Sequence, residues 1–242
     1  MAASGAPLAW ERLDWDSEFF GVSIGKADLD GATPESLAAL DAEARAAGIQ
    51  CLYGLHDPTD PLLSGVVQAG GWLLVEMLSR FQIDPDDPVH LDDTGCTVRR
   101  GTPEDLPALR ASVLTMAPWS RYAVDPHFGV EAAERMHLAW VDRASRGTTD
   151  SEHHLLVAED DTGLLAFITR RRAPAPIIET IGTVAPGAGA AHALVEHSRR
   201  WAGDEALSAG WASARNVSCF RSFARFGFRV AEVRYQYHRW LT

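Results

Sequence analysis

The order of apolar and polar residues across positions 207–241 predicts a strand, a helix and a second strand. These segments read LSAGWASAR, NVSCFRSFARFGF and RVAEVRYQYHRWL. A fainter copy lies 156 residues earlier and places Gly71 on Gly227 and Trp72 on Phe228. A glycine can end a helix in the left-handed conformation, and the aromatic residue after it begins a strand packed against the core. The chain is therefore predicted to consist of two related halves.

The first half begins with alternating residues that predict one or two strands interrupted at Gly21. Thr33 followed by Pro34 predicts the capped start of a helix that ends at Gly48. The first copy of the strand, helix and strand comes next. Turn-forming residues without periodicity then fill positions 84–95, where we expect the linker between the halves.

The second half starts with a strand that leads through a Thr-Pro-Glu-Asp cap into a helix, in residues 97–114. A polar and aromatic loop precedes an amphipathic helix over 130–145, and a hairpin is predicted around Asp160–Gly163. The strand IIETIGTV is followed by a glycine-rich turn that runs directly into another helix. These boundaries predict an N-terminal domain over 1–90 and a C-terminal domain over 97–242.

The composition is that of a globular protein, with 46% hydrophobic and 23% charged residues. The acidic N-terminus has no signal-peptide pattern, and no apolar run is long enough to span a bilayer, so a cytoplasmic location is expected. A net charge of -11 argues against nucleic acid or an anionic membrane as the main partner. The three cysteines are far apart without a CxxC pair, so neither a disulfide framework nor a metal site is expected.

The order of elements in residues 97–242, with VAPGAGAAHALV and NVSCFRSFARFGF, resembles the GNAT acyltransferase superfamily. The first half resembles a partial copy of the same fold. With LDWDSEFFGVSIGKA and SRYAVDPHF, the chain looks most similar to the branch that contains dTDP-fucosamine acetyltransferase. The resemblance implies an α/β (α+β) GNAT fold, in which a mixed, mostly antiparallel sheet is flanked by helices and preceded by a partial GNAT-like half-domain.

The resemblance also implies an acyl-CoA cofactor, most simply acetyl-CoA, and no metal. Amide N–H groups at a helix N-terminus suit its diphosphate, and glycines allow close approach. The implied cofactor-binding residues are Val184, Gly187, Ala188, Gly189, Ala190, Ala191 and Asn216. Pro186 stands where the family has Arg or Gln, and the loop is about three residues short when measured from the strand end. A glycine-rich turn without a ligand, and a helix-capping role for Asn216, are the structural alternatives.

Three residues are candidates for proton transfer. Glu179 matches a family carboxylate that takes a proton from the incoming amine, unless it is an exposed strand charge. The family's acidic tyrosine is replaced by Phe223, so Cys219 or Tyr235 is a candidate substitute, with Ser218 and Ser222 as weaker ones. Packing or capping is the alternative role for each.

The loop between the first two helices of the second half covers the acceptor in the family. Its polar and aromatic residues suit an anionic or hydroxylated ligand. The candidate substrate-binding residues are Ser120, Arg121, Tyr122, Asp125 and His127.

These features favour an enzyme that transfers an acyl group, acetyl in the first instance, to a primary amine of a small metabolite such as an amino sugar or a natural-product intermediate. Two alternatives stay open because the loop and the acid depart from the family. One is a GNAT-fold elimination or cyclisation enzyme that no longer uses acyl-CoA. The other is a non-catalytic subunit of a heteromeric biosynthetic complex. A homodimer or a partner protein is compatible with each.

Overall fold

The computed structural model describes residues 7–87, 95–147, 153–172, 174–185 and 189–241. These residues fall into two units. Unit 1 is formed within Met1–Leu78, Val124–His127 and Val233–Thr242, and unit 2 within Ser79–Ala123 and Phe128–Glu232. Among the described residues, none of the helices combines the length and the apolar character needed to cross a bilayer.

The described residues of unit 1 contain three whole helices, three whole strands and parts of two further strands. Its elements are β1 (Trp10–Arg12), α1 (Asp14–Phe20), β2 (Ile24–Asp28), α2 (Pro34–Ala46), β3 (Cys51–His56), α3 (Pro61–Ala69), the first part of β4 (Leu73–Ile83) and the last part of β10 (Arg229–Trp240). The strand order is β1-β2-β3-β10-β4. Strands β2 and β3 are parallel, whereas β1 pairs with β2 and β10 pairs with β3 in antiparallel fashion.

The core of unit 1 is made by one face of α2 and α3 packing on the strands. Leu37 and Leu40 of α2 lie against Leu52 of β3, with Trp72 and Tyr237 completing the cluster. Helix α2 begins as the sequence predicts, because Thr33 and Ser36 form a reciprocal capping box and Pro34 occupies the first turn.

Unit 2 contains the remaining elements and the other parts of β4 and β10. They are β5 (Thr97–Arg100), a 3₁₀ turn (Pro103–Asp105), α4 (Leu106–Leu114), a 3₁₀ turn (Ala117–Trp119), α5 (Arg121–Val124, with Val124 in unit 1), α6 (Gly129–Ser145), β6 (His153–Asp160), β7 (Gly163–Arg171), β8 (Ile177–Thr183), α7 (Ala190–Ala202), β9 (Leu207–Ser213) and α8 (Val217–Arg225). The strand order is β10-β4-β9-β8-β7-β6-β5. The predicted mixed, mostly antiparallel sheet flanked by helices is confirmed.

Helices cover both faces of the unit 2 sheet, and neighbouring strand residues divide between the two sides. Ile168 joins the cluster that includes Leu194 of α7, whereas Phe167 joins the cluster that includes Leu109 of α4 and Val141 of α6. This division follows the period of two in a strand.

The internal repeat predicted from the sequence is present and longer than the sequence indicated. The first copy runs from β2 to β4 and the second from β8 to β10. Helices α2 and α7 are offset by 156 residues at both ends, and so are α3 and α8. Gly71 and Gly227 have φ angles of 82° and 86°, and the aromatic residues after them are buried. The two halves therefore share local geometry as well as sequence.

Candidate functional site

In unit 2 the parallel strands β8 and β9 separate soon after they begin. Their ladder in the described residues has two pairs, Ile177 with Ser208 and Ile178 with Ala209, although each strand has seven residues. We call the gap beyond these pairs the strand opening. The edge of β8 that faces it carries backbone N–H and C=O groups that can pair with an extended ligand.

Glu179 lies where the strand opening begins. The register between β7 and β8 shifts there, because Thr169 pairs with Thr180 and Arg170 pairs with Ile178. Glu179 is therefore the extra residue of a β-bulge, a feature that redirects a side chain.

The Glu179 carboxylate is partly exposed and paired with two other side chains. It accepts a hydrogen bond from Arg171 Nε at 2.9 Å and one from His153 Nδ1 at 2.9 Å. The three side chains are 23–30% exposed. Of the two environments considered for Glu179, the structure has the solvent-exposed one, in which the charge is paired.

Helix α7 begins without a side-chain cap. Gly189 precedes it with φ at 67°, a left-handed conformation that favours glycine, and Ala190 and Ala191 form the start of its first turn. The first N–H groups of a helix have no partner within the helix and attract anions. The predicted binding residues Gly187 and Ala188, together with Pro186, lie outside the described residues.

The amides just before this turn are used inside the protein. Val184 N–H and Ala185 N–H both donate to the carbonyl oxygen of Leu165, at 2.7 and 3.0 Å. Sequence reasoning expected Val184 to help hold the cofactor. Its amide is already satisfied, and in the first turn of α7 the His192 N–H donates to the carbonyl oxygen of Gly189 at 2.9 Å.

Helix α8 carries three of the residues singled out in the sequence. The Asn216 side chain accepts a hydrogen bond from Cys219 N–H at 3.1 Å, which caps the helix. Burial raises the pKa of the Cys219 thiol to about 11, so the thiol keeps its proton at neutral pH. Phe223 is 3% exposed and packs on Phe81 and Phe228. The position of the family's tyrosine is therefore part of the core.

The predicted acceptor-binding residues divide between the two units. Ser120, Arg121 and Tyr122 belong to unit 2, whereas Asp125 and His127 belong to unit 1. Arg121 Nη2 donates to the Tyr122 hydroxyl at 2.5 Å, and Ser120 Oγ accepts from Tyr122 N–H at 3.3 Å. Tyr122 is 1% exposed, so it contributes to the core of unit 2.

Asp125 is fully buried at the centre of a network in unit 1. One oxygen accepts from His238 Nδ1 at 2.7 Å and from Trp240 Nε1 at 2.8 Å, and the other accepts from the backbone and ring nitrogens of His127. Burial alone would raise the pKa of Asp125, but the hydrogen bonds from His238, Trp240 and His127 outweigh it and lower the pKa. Sequence reasoning missed His238 and Trp240, whose spacing of two on β10 puts them on one face.

Tyr235 and Cys219, the two candidates to replace the missing acid, belong to different units. Tyr235 lies on the part of β10 in unit 1, where its ring meets His56 edge to face. Glu179 and Cys219 belong to unit 2.

No group of three or more His, Cys, Asp or Glu side chains in the described part of the chain is arranged to hold a metal ion.

Comparison with known proteins gives one curated relative and several structural neighbours. No protein-family model matches the sequence. The chain is 27% identical over 227 residues to a dTDP-fucosamine acetyltransferase of Escherichia coli, over 93% of this chain and 90% of that protein. A GCN5-related N-acetyltransferase from Sphaerobacter thermophilus has a TM-score of 0.61 at 15% identity, over 98% of this chain and 77% of that one. A tandem GNAT protein from the clavulanic acid biosynthesis pathway has a TM-score of 0.52 at 14% identity, over 92% and 76%. The chain has the GNAT fold that its sequence predicts, and its sequence is similar to that of an acetyltransferase.

Proposed function

We propose that this protein is an acyl-CoA-dependent N-acyltransferase that transfers an acetyl group to a primary amine of a small metabolite. Two observations carry the proposal: the strand opening in unit 2, which begins at Glu179, and the start of α7, which has no side-chain cap. Along the chain of unit 2, the open edge of β8 is followed by the start of α7, where we expect an anion to bind.

The two features suit the two ends of an acyl-CoA molecule. The diphosphate is expected at the start of α7, where the helix dipole and the first amides favour negative charge. The pantetheine arm carries amide groups and can pair with the open edge of β8 like an added strand. Residues 179–183 of that edge span about 16 Å at the usual rise of a strand. The thioester is then expected near Glu179.

The similarity to the Escherichia coli relative supports acetyl as the transferred group and an amino sugar as the acceptor. The Escherichia coli protein is named an acetyltransferase of dTDP-fucosamine, an amino sugar linked to a nucleotide. We therefore expect acetyl-CoA as the donor and an amino sugar as the first acceptor class to examine.

The test is calorimetric titration with acetyl-CoA, followed by thiol release in the presence of amino sugars and other primary amines. Ala191→Glu places a carboxylate in the first turn of α7, so we expect acetyl-CoA affinity to fall at least tenfold by charge repulsion. The negative charge itself is favourable at a helix N-terminus, so the cost to folding is that of a longer side chain where Ala191 packs against the core. Ala191→Gln, which has a similar size without the charge, is the matched control and should retain most of the affinity.

Two results would count against the proposal. If the wild type shows no binding at millimolar acetyl-CoA, acyl transfer from coenzyme A is excluded. If Ala191→Glu binds as well as Ala191→Gln, the diphosphate does not lie at the start of α7.

A GNAT-fold protein that no longer uses acyl-CoA is the second candidate. It is favoured by the burial of Phe223 in the core and by the internal use of the Val184 and Ala185 amides. Such a protein would act in elimination or cyclisation, or as a subunit of a heteromeric complex. The titration with acetyl-CoA separates the two candidates directly, since this one predicts no heat of binding.

A further inference from the structure

We propose that unit 2 has a separate anion site, in which the guanidinium group of Arg170 binds a phosphate group on the face of the sheet that α7 covers. Arg170 lies on β7, and its side chain contacts residues of α7 two turns and more beyond the start of that helix. It is part neither of the strand opening nor of the start of α7. The inference therefore goes beyond acyl transfer and does not depend on it.

Arg170 is a buried cation without a carboxylate partner. The residue is 5% exposed, and no Asp or Glu of the described ranges forms an ion pair with it. Burial, together with the like charges of Arg100 and Arg172, lowers the pKa of Arg170 to about 10, so the group still carries its charge at neutral pH. A buried charge is costly unless an opposite charge compensates it. An anion bound beside Arg170 would supply that compensation.

One part of the Arg170 guanidinium is held within unit 2. Its Nη1 donates to His197 Nδ1 at 3.2 Å and to Ser198 Oγ at 3.4 Å, and its Cζ lies over the Trp201 ring, 4.2 Å from the centroid. The buried Nε has no hydrogen-bond partner, and no described residue accepts from Nη2. His197 and Trp201 are half-buried, so these neighbours reach the protein surface. The contacts fix the group and leave its Nε–Nη2 edge for a ligand.

Arg99 shows, in the same unit, what such an edge binds. Its Nε donates to one carboxylate oxygen of Glu159 and its Nη2 to the other, both at 2.9 Å. Two parallel hydrogen bonds of this kind match the geometry of a carboxylate or a phosphate group. Arg170 has the same edge and, among the described residues, no acceptor for it. The missing partner is therefore expected to be an oxyanion.

The charges around Arg170 favour phosphate over a carboxylate. Arg100 and Arg172 both act on Arg170 as like charges, whereas Glu205 pairs with Arg172 at 2.6 Å. A phosphate group carries more than one negative charge near neutral pH, and a carboxylate carries one. The more highly charged anion gains more from two or three neighbouring cations.

The test is calorimetric titration of the full chain with inorganic phosphate at constant ionic strength. Arg170→Met removes the charge and both donors, so we expect the affinity to fall about tenfold or more. Arg170→Lys keeps the charge but cannot form two parallel hydrogen bonds, so a fall of about tenfold is expected there too. Arg110→Met removes an exposed arginine from α4 and is the matched control, with unchanged affinity expected.

Thermal unfolding gives an independent readout. Phosphate at about ten times its dissociation constant should raise the Tm of the wild type by about 3–6 °C. The rise should be absent in Arg170→Met and present in Arg110→Met. An equal rise in the wild type and in Arg170→Met would overturn the proposal, because the anion would then bind elsewhere. A wild type that shows neither heat nor a Tm shift with phosphate would overturn it as well.

Two further titrations identify the anion and separate this site from the start of α7. Acetate should bind about tenfold more weakly than phosphate, and equal affinities would overturn the assignment to phosphate. Ala191→Glu should keep the phosphate affinity of the wild type, and Arg170→Met should keep its affinity for acetyl-CoA. Phosphate binding that is lost in Ala191→Glu and kept in Arg170→Met would overturn this inference and leave the proposed function intact.

Discussion

The two copies of the repeat have the same elements at the same spacing, but only the second leaves its parallel strands apart. In the first copy, β2 and β3 pair continuously over five positions, from Ile24 with Cys51 to Asp28 with Leu55. In the second copy, β8 and β9 pair over two. The two copies therefore share a scaffold, and they differ in the strand opening, where we propose that a ligand enters.

The helices α2 and α7, which follow β2 and β8 in the two copies, differ in how their N-termini are capped. Helix α2 starts with Thr33, Pro34 and Glu35, and the Thr33 side chain accepts from Ser36 N–H. The matched positions of α7 are Gly189, Ala190 and Ala191, with no side-chain cap. A capped, acidic start repels an anion, whereas a start made of small uncharged residues adds no negative charge. The first copy therefore has the capped helix start, and the second copy is the one at which we propose that a ligand binds.

The largest expected effect is on folding stability, and it tests whether the polar network around Asp125 in unit 1 stabilises the protein more than the one around Glu179 in unit 2. Asp125→Ala in unit 1 removes a buried carboxylate that accepts four hydrogen bonds, so we expect the free energy of unfolding to fall by about 3–5 kcal/mol. Glu179→Ala in unit 2 removes a partly exposed pair and should cost less than about 1 kcal/mol. Urea unfolding of both variants measures the contrast.

The pH dependence of the Asp125 variant provides its control. The pKa of Asp125 is lowered in the folded protein, so its ionised form stabilises the fold above the unfolded value of about 4. That contribution is lost as the pH falls below about 4. The stability difference between the wild type and Asp125→Asn should therefore shrink at acid pH. Equal losses for Asp125→Ala and Glu179→Ala at neutral pH would contradict the contrast.

A smaller effect is expected at two matched glycines, Gly54 on β3 and Gly210 on β9. A Cβ at Gly54 would lie 2.5 Å from Leu29 Cδ1 and 2.6 Å from the Trp72 ring, whereas one at Gly210 would meet β8 backbone atoms at 3.2 Å or more. Gly54→Ala should cost about 1–3 kcal/mol by overpacking. Gly210→Ala should cost clearly less, because the strands begin to separate there. Thermal unfolding decides, and equal losses would mean that the second copy is packed as closely as the first.

A feature of the fold can be predicted from the sequence when the residues that determine it are close together along the chain. Helix α2 was predicted correctly because its cap and its stop, Thr33 and Gly48, lie within or beside the helix. The repeat was visible because glycine and aromatic residues recur at a fixed distance. The strand opening was not visible, since the residues of β8 and β9 carry no signal for where their ladder ends.

The site shows the same limit more sharply. The sequence predicts that Asp125 is a loop residue that contacts the acceptor, but its partners His238 and Trp240 lie 113 and 115 residues away in sequence. Glu179 was identified as a candidate base. Its contacts with His153 and Arg171 depend on a bulge and on strand order, and neither can be predicted from spacing. Long-range pairing decides both cases, and a single sequence does not encode it in a readable form.

The smallest expected effect on folding stability concerns the start of α2 in the first copy, which is capped by the Thr33 side chain. Thr33→Ala removes the side chain that accepts Ser36 N–H and should cost about 1 kcal/mol, as for other helix caps. Thr33→Ser keeps the hydroxyl and is the matched control. Acetyl-CoA affinity should be the same in both variants, because binding is expected at α7 in unit 2. A loss of affinity in Thr33→Ala alone, measured by calorimetry at a temperature where both variants are folded, would mean that the closed copy takes part in binding. The division between a stabilising copy and a binding copy would then have to be given up.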